Sequence, residues 1–277
     1  MLSYVPKRSW SRRRSMCLSS GVGARLVAIF WLLSGMTCGS ARAADLSFTV
    51  GVTGWVNTWD SWFINHAYAA GPAGAGAIQI SDTVNSSTRV TATPQFGVSY
   101  GDAFLSGSYL AKQTYALSGP LESLGASRSE LDIKLGYYVF SGVAVSLGYK
   151  ELQQDYGAGT YRWTGPIIAL LGSVPLGATD FALYGAYGYG VFRLRLPRGQ
   201  ADFVGDSTFD ASYSVAEVGV AYAVPGVPAL KALRLTLGYR FQLLTTKDYM
   251  LESLMGATPT DEHDITQGLT LGLSVTL

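Results

Sequence analysis

The chain has 277 residues, 48% of them hydrophobic and only 14% charged, with a formal net charge of +1 and a mean hydropathy of +0.21. A membrane protein built of helices would carry runs of about twenty apolar residues, and the sequence has none. That excludes a helix bundle in the membrane; with 33 glycines and 17 tyrosines, residues of tight turns and interfacial belts, it leaves the other spanning solution, a closed β-barrel.

Lys7, Arg8, Arg12, Arg13, Arg14 and Arg25 precede an apolar segment at 26–36 (LVAIFWLLSGM) that is too short to span a bilayer. Ala41-Arg42-Ala43 then supplies a small–x–small cleavage pattern. The sequence thus predicts a cleaved export signal over 1–43 and a barrel domain over 44–277. The leader holds seven of the 20 Lys+Arg and no acid, so the mature chain keeps 13 basic against 19 acidic residues, a net of −6. An acidic export product speaks against nucleic acid as a partner. Cys17 and Cys38 both lie in the leader, which removes disulfides, thiolate metal sites and cysteine catalysis from the mature chain. No cofactor is implied.

Alternation of apolar and small or polar residues predicts ten antiparallel strands, with eight or twelve as the neighbouring even counts. In chain order they fall at 46–57, 88–100, 103–115, 128–140, 143–153, 161–173, 180–195, 210–224, 232–244 and 265–277. The pattern is sharpest at the end, where Leu269, Leu271, Leu273, Val275 and Leu277 alternate with Gly268, Thr270, Gly272, Ser274 and Thr276. The segment 166–176 is apolar on both faces. Short connections (101–102, 141–142, 175–179, 225–231) alternate with mostly longer ones (58–87, 116–127, 154–160, 196–209, 245–264), as in barrels with short periplasmic turns and long external loops. Tyr100, Phe104, Tyr137, Tyr138, Phe140 and Tyr222 adjoin the short turns. Trp55, Trp59, Trp62 and Trp163 lie toward the opposite side, and both groups are expected at bilayer interfaces.

Registers follow from the apolar faces. A two-residue turn at Gly101 and Asp102 pairs Tyr100 with Ala103, Val98 with Leu105 and Phe96 with Gly107. Setting Val139 against Val143 brings Asp132 opposite Lys150, and setting Tyr222 against Leu235 brings Glu217 opposite Arg240.

The signal, the two-residue repeat and the apolar final strand resemble the small outer-membrane β-barrel proteins of diderm bacteria, over essentially the whole mature chain. That resemblance implies insertion in the outer-membrane bilayer, delivery by the barrel-assembly machinery, and lipopolysaccharide as a candidate partner. The class commonly ends its last strand on an aromatic residue, whereas this chain ends on Leu277.

Chemistry is sparse. The mature histidines are His66 and His263, both in predicted external loops. Asp261 and His263, two apart, share one side of an extended segment and are the catalytic candidates; their spacing is similar to that of the omptin proteases. The second acidic pair of that family is missing as a compact motif, Asp60 and Asp82 being isolated. A lipid-modifying hydrolase would need a serine singled out by one of the histidines, and none is. Asp202, Asp206 and Asp210 are too widely spaced for a dedicated calcium loop, and the glycines between Gly71 and Gly76 lack the flanks of a phosphate cradle. The lumen carries the densest charge: Arg89, Lys112, Lys134, Lys150, Arg234 and Arg240 against Glu130, Asp132 and Glu217. Two readings follow, an ion-pair network bracing a closed barrel and a narrow anion-leaning pore. Ten strands favour the closed one, because barrels near that size are filled by side chains.

Overall fold

The computed structural model describes residues 45–61, 84–118, 125–156, 159–199, 201, 207–227, 230–249 and 260–277. Residues 1–44, among them the whole segment read as an export signal, and His66, Asp82, Asp202, Asp206, Trp62 and the 71–76 glycines lie outside these. Ten long antiparallel strands form a closed sheet: β1 (Leu46–Ser61), β3 (Arg89–Tyr100), β4 (Ala103–Ala116), β5 (Gly125–Phe140), β6 (Val143–Asp155), β7 (Thr160–Pro175), β8 (Phe181–Arg195), β9 (Thr208–Ala223), β10 (Ala232–Tyr249) and β11 (Thr260–Thr276). A two-residue β2 (Val84–Asn85) pairs with the end of β1. Each of the ten long strands neighbours the next long strand in sequence, and β11 pairs with β1 over Thr49↔Thr276 to Ser61↔Asp264. Closure removes the free edges that a membrane cannot tolerate.

The two faces follow the alternation. Leu135, Leu147, Leu237 and Leu271 are among the outward residues left exposed, while Thr53, Thr91, Gln242, Thr266 and Thr270 face in and are buried. An apolar exterior over a polar interior inverts the order of a water-soluble protein and matches a lipid-facing wall. The 166–176 segment also resolves, with Ile167 and Ala169 buried inside and Ile168 and Leu170 exposed outside. At the short-turn rim Gly101 and Gly142 take φ of 59° and 82°, the left-handed conformation that two-residue hairpins need.

The expected registers hold for Phe96↔Gly107, Asp132↔Lys150 and Arg240↔Glu217. Val139 does not face Val143, however. Phe140 does, and the register shifts between Tyr138 and Phe140. The two-residue turn demands one alignment and the apolar faces another, and a bulge at Val139 reconciles them.

Two further expectations need correction. Trp55, Trp59 and Trp163 do not form an interfacial belt; they face inward and are at most 2% exposed. The strands at the long-loop rim also overrun the predicted ends: β1 reaches Ser61, β10 reaches Tyr249 and β11 begins at Thr260, because alternation continues beyond the length a bilayer requires. The segment around His263 is therefore strand, not loop.

Candidate functional site in the barrel lumen

The lumen is built in three levels. Nearest the long loops it is packed with Trp59, Tyr115, Leu152, Tyr156, Tyr161, Trp163, Phe192, Leu194 and Tyr213, a continuous hydrophobic cluster. Trp59 stands edge-on to Tyr115 at 5.4 Å and stacks on Tyr156 at 5.9 Å, and Phe192 stacks on Tyr213 at 5.2 Å. Aromatic pairs at such spacing hold one another beyond simple area burial. Three of the cluster's polar tips are tied down: Trp163 Nε1 donates to Thr246 Oγ1 at 3.1 Å, Tyr115 Oη to Asn57 Oδ1 at 2.9 Å, and Tyr156 Oη to Gln154 Oε1.

Below this plug lies a charged layer centred on Glu130. Arg128 approaches one carboxylate oxygen at 2.8 Å and Lys150 the other at 2.6 Å. Arg128 also donates to Gln242 Oε1 at 2.7 Å and to Thr266 Oγ1. Its guanidinium lies 5.9 Å from the Trp59 ring centroid, and the Lys150 ammonium 5.1 Å from that of Tyr213, so the layer and the plug are one packed unit. Asp132 pairs with Lys134 at 2.6 Å and reaches Lys150 at 3.8 Å. A second node joins Glu217 to Arg240 at 2.6 Å, with Tyr184 and Thr270 hydroxyls donating to Glu217 at 3.0 and 3.2 Å.

Toward the short-turn rim the lumen is emptier. A cavity of about 280 Å³ adjoins Trp55, Ser146, Lys150, Glu217 and Arg240. A second, of about 360 Å³, shares Glu217 and Arg240 and extends past Tyr184, Arg234 and Gly272. The barrel is thus filled on the long-loop side and hollow on the other.

Of the lumen charges expected from sequence, Glu130, Asp132, Lys134, Lys150, Glu217 and Arg240 come together here. Arg234 stays apart, its guanidinium 6.0 Å from the Tyr184 ring centroid. Arg89 lies exposed at the end of β3, its Nε donating to the Thr114 carbonyl at 2.7 Å. Lys112 is not in the lumen. A bulge between Leu110 and Gln113 shifts the β4–β5 register, turning the Lys112 side chain outward, 65% exposed, to pair with Asp155 at 3.0 Å. Arg128 was missed, although it shares the parity of Glu130 and Asp132. Glu262 and Asp264 also face in and are buried. Among the described residues, Arg128, Lys134, Lys150, Arg234 and Arg240 thus oppose Glu130, Asp132, Glu217, Glu262 and Asp264, so the positive excess expected from sequence disappears. Asp261 and His263 do share a face, but alternation with buried Glu262 and Asp264 puts it on the outside of the wall, where His263 Nδ1 lies 3.0 Å from Thr245 Oγ1.

No protein-family model and no curated protein matches the chain. Among solved structures it is similar to the outer-membrane protease OmpT of Escherichia coli (10% identity, 87% of this chain and 99% of that one, TM-score 0.44). It is also similar to Neisserial surface protein A (10%, 83% and 98%, TM-score 0.36) and to the β domain of the Bordetella autotransporter BrkA (10%, 84% and 99%, TM-score 0.37). The chain has the outer-membrane β-barrel fold. At such identities the likeness does not extend to any protein's activity.

Proposed function

We propose that the chain is exported by its 1–43 leader and resides in the outer membrane as a closed, non-conducting barrel without enzymatic activity, its short turns in the periplasm and its long loops outside. The observation that carries this reading is the plug: Trp59, Tyr115, Tyr156, Tyr161 and Trp163 are each at most 1% exposed inside the wall and rest on the Arg128–Glu130–Lys150 layer. A lumen filled at one end braces the wall and leaves the external loops as the working surface. The test is single-channel recording on the refolded mature chain. The expected result is no steady conductance; stable openings with anion preference would overturn the closed reading in favour of a pore.

Lipopolysaccharide is the partner that the outer wall supports. Arg162 and Arg195 stand directly opposite each other on β7 and β8. Arg193, two residues from Arg195 on the same face, is 68% exposed on its side chain. Arg162 approaches Glu151 at 3.5 Å and Arg193 approaches Asp210 at 4.0 Å, so the cluster is partly matched; a phosphate lying between Arg162 and Arg195 would add charge-assisted bonds to both and relieve their mutual repulsion.

A further inference from the structure

The wall is interrupted at one seam. β3 and β4 pair from Tyr100↔Ala103 up to Gln95↔Ser108, and the ladder then stops. It resumes beyond β3, where Ser86 bridges Leu117 and Ser87 N donates to the Ala116 carbonyl at 2.8 Å. Between these points 88–94 and 109–115, all described residues, have no ladder partner across the seam, which the Arg89 side chain crosses to the Thr114 carbonyl at 2.7 Å; the other edge of 89–94 pairs with β1 and that of 109–115, outside the bulge, with β5. The sequence supplies a cause. A two-residue turn makes Tyr100 and Ala103 a hydrogen-bonded pair, so Val98, Phe96 and then position 94 are the next to bond. Position 94 is proline, which has no N–H to give. Both strands also slip by one residue nearby, β4 at the Leu110/Gln113 bulge and the β2–β3 segment between Asn85 and Arg89 against β1. The seam is level with the apolar belt, since Val52 and Val56 pair with Pro94 and Val90 on one side and with Leu273 and Leu269 on the other. Unpaired backbone facing hydrocarbon demands a partner.

The smaller cavity meets this seam, with Thr93, Gln95, Ser108 and Leu110 on its border. Three buried polar atoms that border the same cavity have no hydrogen-bond partner: Trp55 Nε1, Ser146 Oγ and Asp132 Oδ1. Trp55 and Ser146 are each only 2% exposed. They offer one donor, one hydroxyl and one acceptor. The charges around them are already matched, Lys134 with Asp132, Lys150 with Glu130 and Arg240 with Glu217, so a charged group has no counter-ion to claim.

We propose that the cavity binds the uncharged, hydroxyl-bearing head of a single-chain amphiphile of the monoacylglycerol class, whose acyl chain leaves through the β3–β4 seam into the bilayer. The head's hydroxyls accept from Trp55 and donate to Asp132, with Ser146 completing the set. This site lies beneath the plug and is independent of whether the barrel conducts. The test uses refolded protein in phosphatidylcholine vesicles with a monoacylglycerol carrying a diazirine on its acyl chain, and adducts mapped by mass spectrometry. Adducts are expected within 90–94 and 109–111, to be competed by unlabelled monooleoylglycerol but not by oleate, and to fall about tenfold in Ser146→Leu, which fills the cavity. Ser108→Leu, at its mouth, gives an independent block should Ser146→Leu not fold. Adducts spread evenly over the belt, including Leu135, Leu237 and Leu271, or seam adducts unchanged in a folded blocking variant, would overturn the site. Equal competition by oleate would overturn the uncharged head.

Discussion

Arg240 on β10 stands directly opposite Glu217 on β9, and its guanidinium grips one carboxylate oxygen with Nε at 2.7 Å and a terminal nitrogen at 2.6 Å. The same guanidinium lies 5.4 Å from the Trp55 ring centroid. Removing one partner leaves an uncompensated charge beside the cavity. Glu217→Gln or Arg240→Met alone is expected to cost about 2–3 kcal/mol, below the ~3–5 of a fully buried pair because the node borders open space. The double variant should recover at least about 1 kcal/mol of the summed loss. Urea titration of the four proteins refolded into vesicles measures this, and strict additivity would mean that the pair is solvated as in open water.

This pair was legible in the sequence because the apolar face fixes parity, and setting Tyr222 against Leu235 on that face brings Glu217 opposite Arg240. The same logic located all ten strands. It failed where a strand departs from strict alternation. One extra residue in β4 was enough to move Lys112 from the inside to the outside, and no single-residue pattern announces a bulge. It also failed for Trp59 and Trp163, since a tryptophan near a strand end suits an interface and a plug equally well, and only parity separates the two. Pro94 was the unread signal. A proline at a hydrogen-bonding position marks a place where the ladder stops, and the β3–β4 seam lies there.

The lipid face gives a second test. Leu237 and Leu271 are directly paired and outward, 58% and 65% exposed. Leu237→Arg and Leu271→Arg should each destabilise the refolded barrel by about 2–4 kcal/mol if they sit at the bilayer midplane. Thr270→Ser, one residue away but facing in, keeps the hydroxyl that donates to Glu217 and should cost well under 1 kcal/mol. Equal, small losses at all three would mean that the strand faces are assigned wrongly.

Orientation is tested on intact cells with single cysteines. Arg198 follows β8 at the long-loop rim and Ser141 lies in a short turn; both are exposed. Arg198→Cys should react with an impermeant maleimide and Ser141→Cys only after lysis. The reverse pattern would place the long loops in the periplasm.

The opposed arginines predict a composition effect. Protein extracted in mild detergent should carry lipopolysaccharide, and Arg162→Ala combined with Arg195→Ala should reduce that co-purification several-fold while leaving folding intact. In phosphatidylcholine, where no bridging lipopolysaccharide is present, relief of the Arg162–Arg195 repulsion is offset by loss of the Arg162–Glu151 approach at 3.5 Å, so stability should change by less than about 1 kcal/mol. A double variant that retains full lipopolysaccharide would remove this surface from consideration.

The strongest single test of the closed lumen is Glu130. Its carboxylate is the shared partner of Arg128 and Lys150, and the three side chains are 9%, 2% and 5% exposed. Their loads differ. Arg128 keeps Gln242 and Thr266 if Glu130 is neutralised, whereas Lys150 keeps only a 3.8 Å approach to Asp132 and the Tyr213 ring. Glu130→Gln therefore leaves two cations in a nearly dry layer and should cost about 3–5 kcal/mol. Arg128→Met removes one cation but leaves Glu130 paired with Lys150, so its cost should be the smaller of the two. Combining Glu130→Gln with Lys150→Met should restore part of the loss, because the cation with fewest alternatives is gone. The order is specific to a plugged barrel. If water filled the lumen at this level, its high dielectric would shrink all three effects to a few tenths of a kcal/mol, and the variants would differ in ion selectivity instead of in stability.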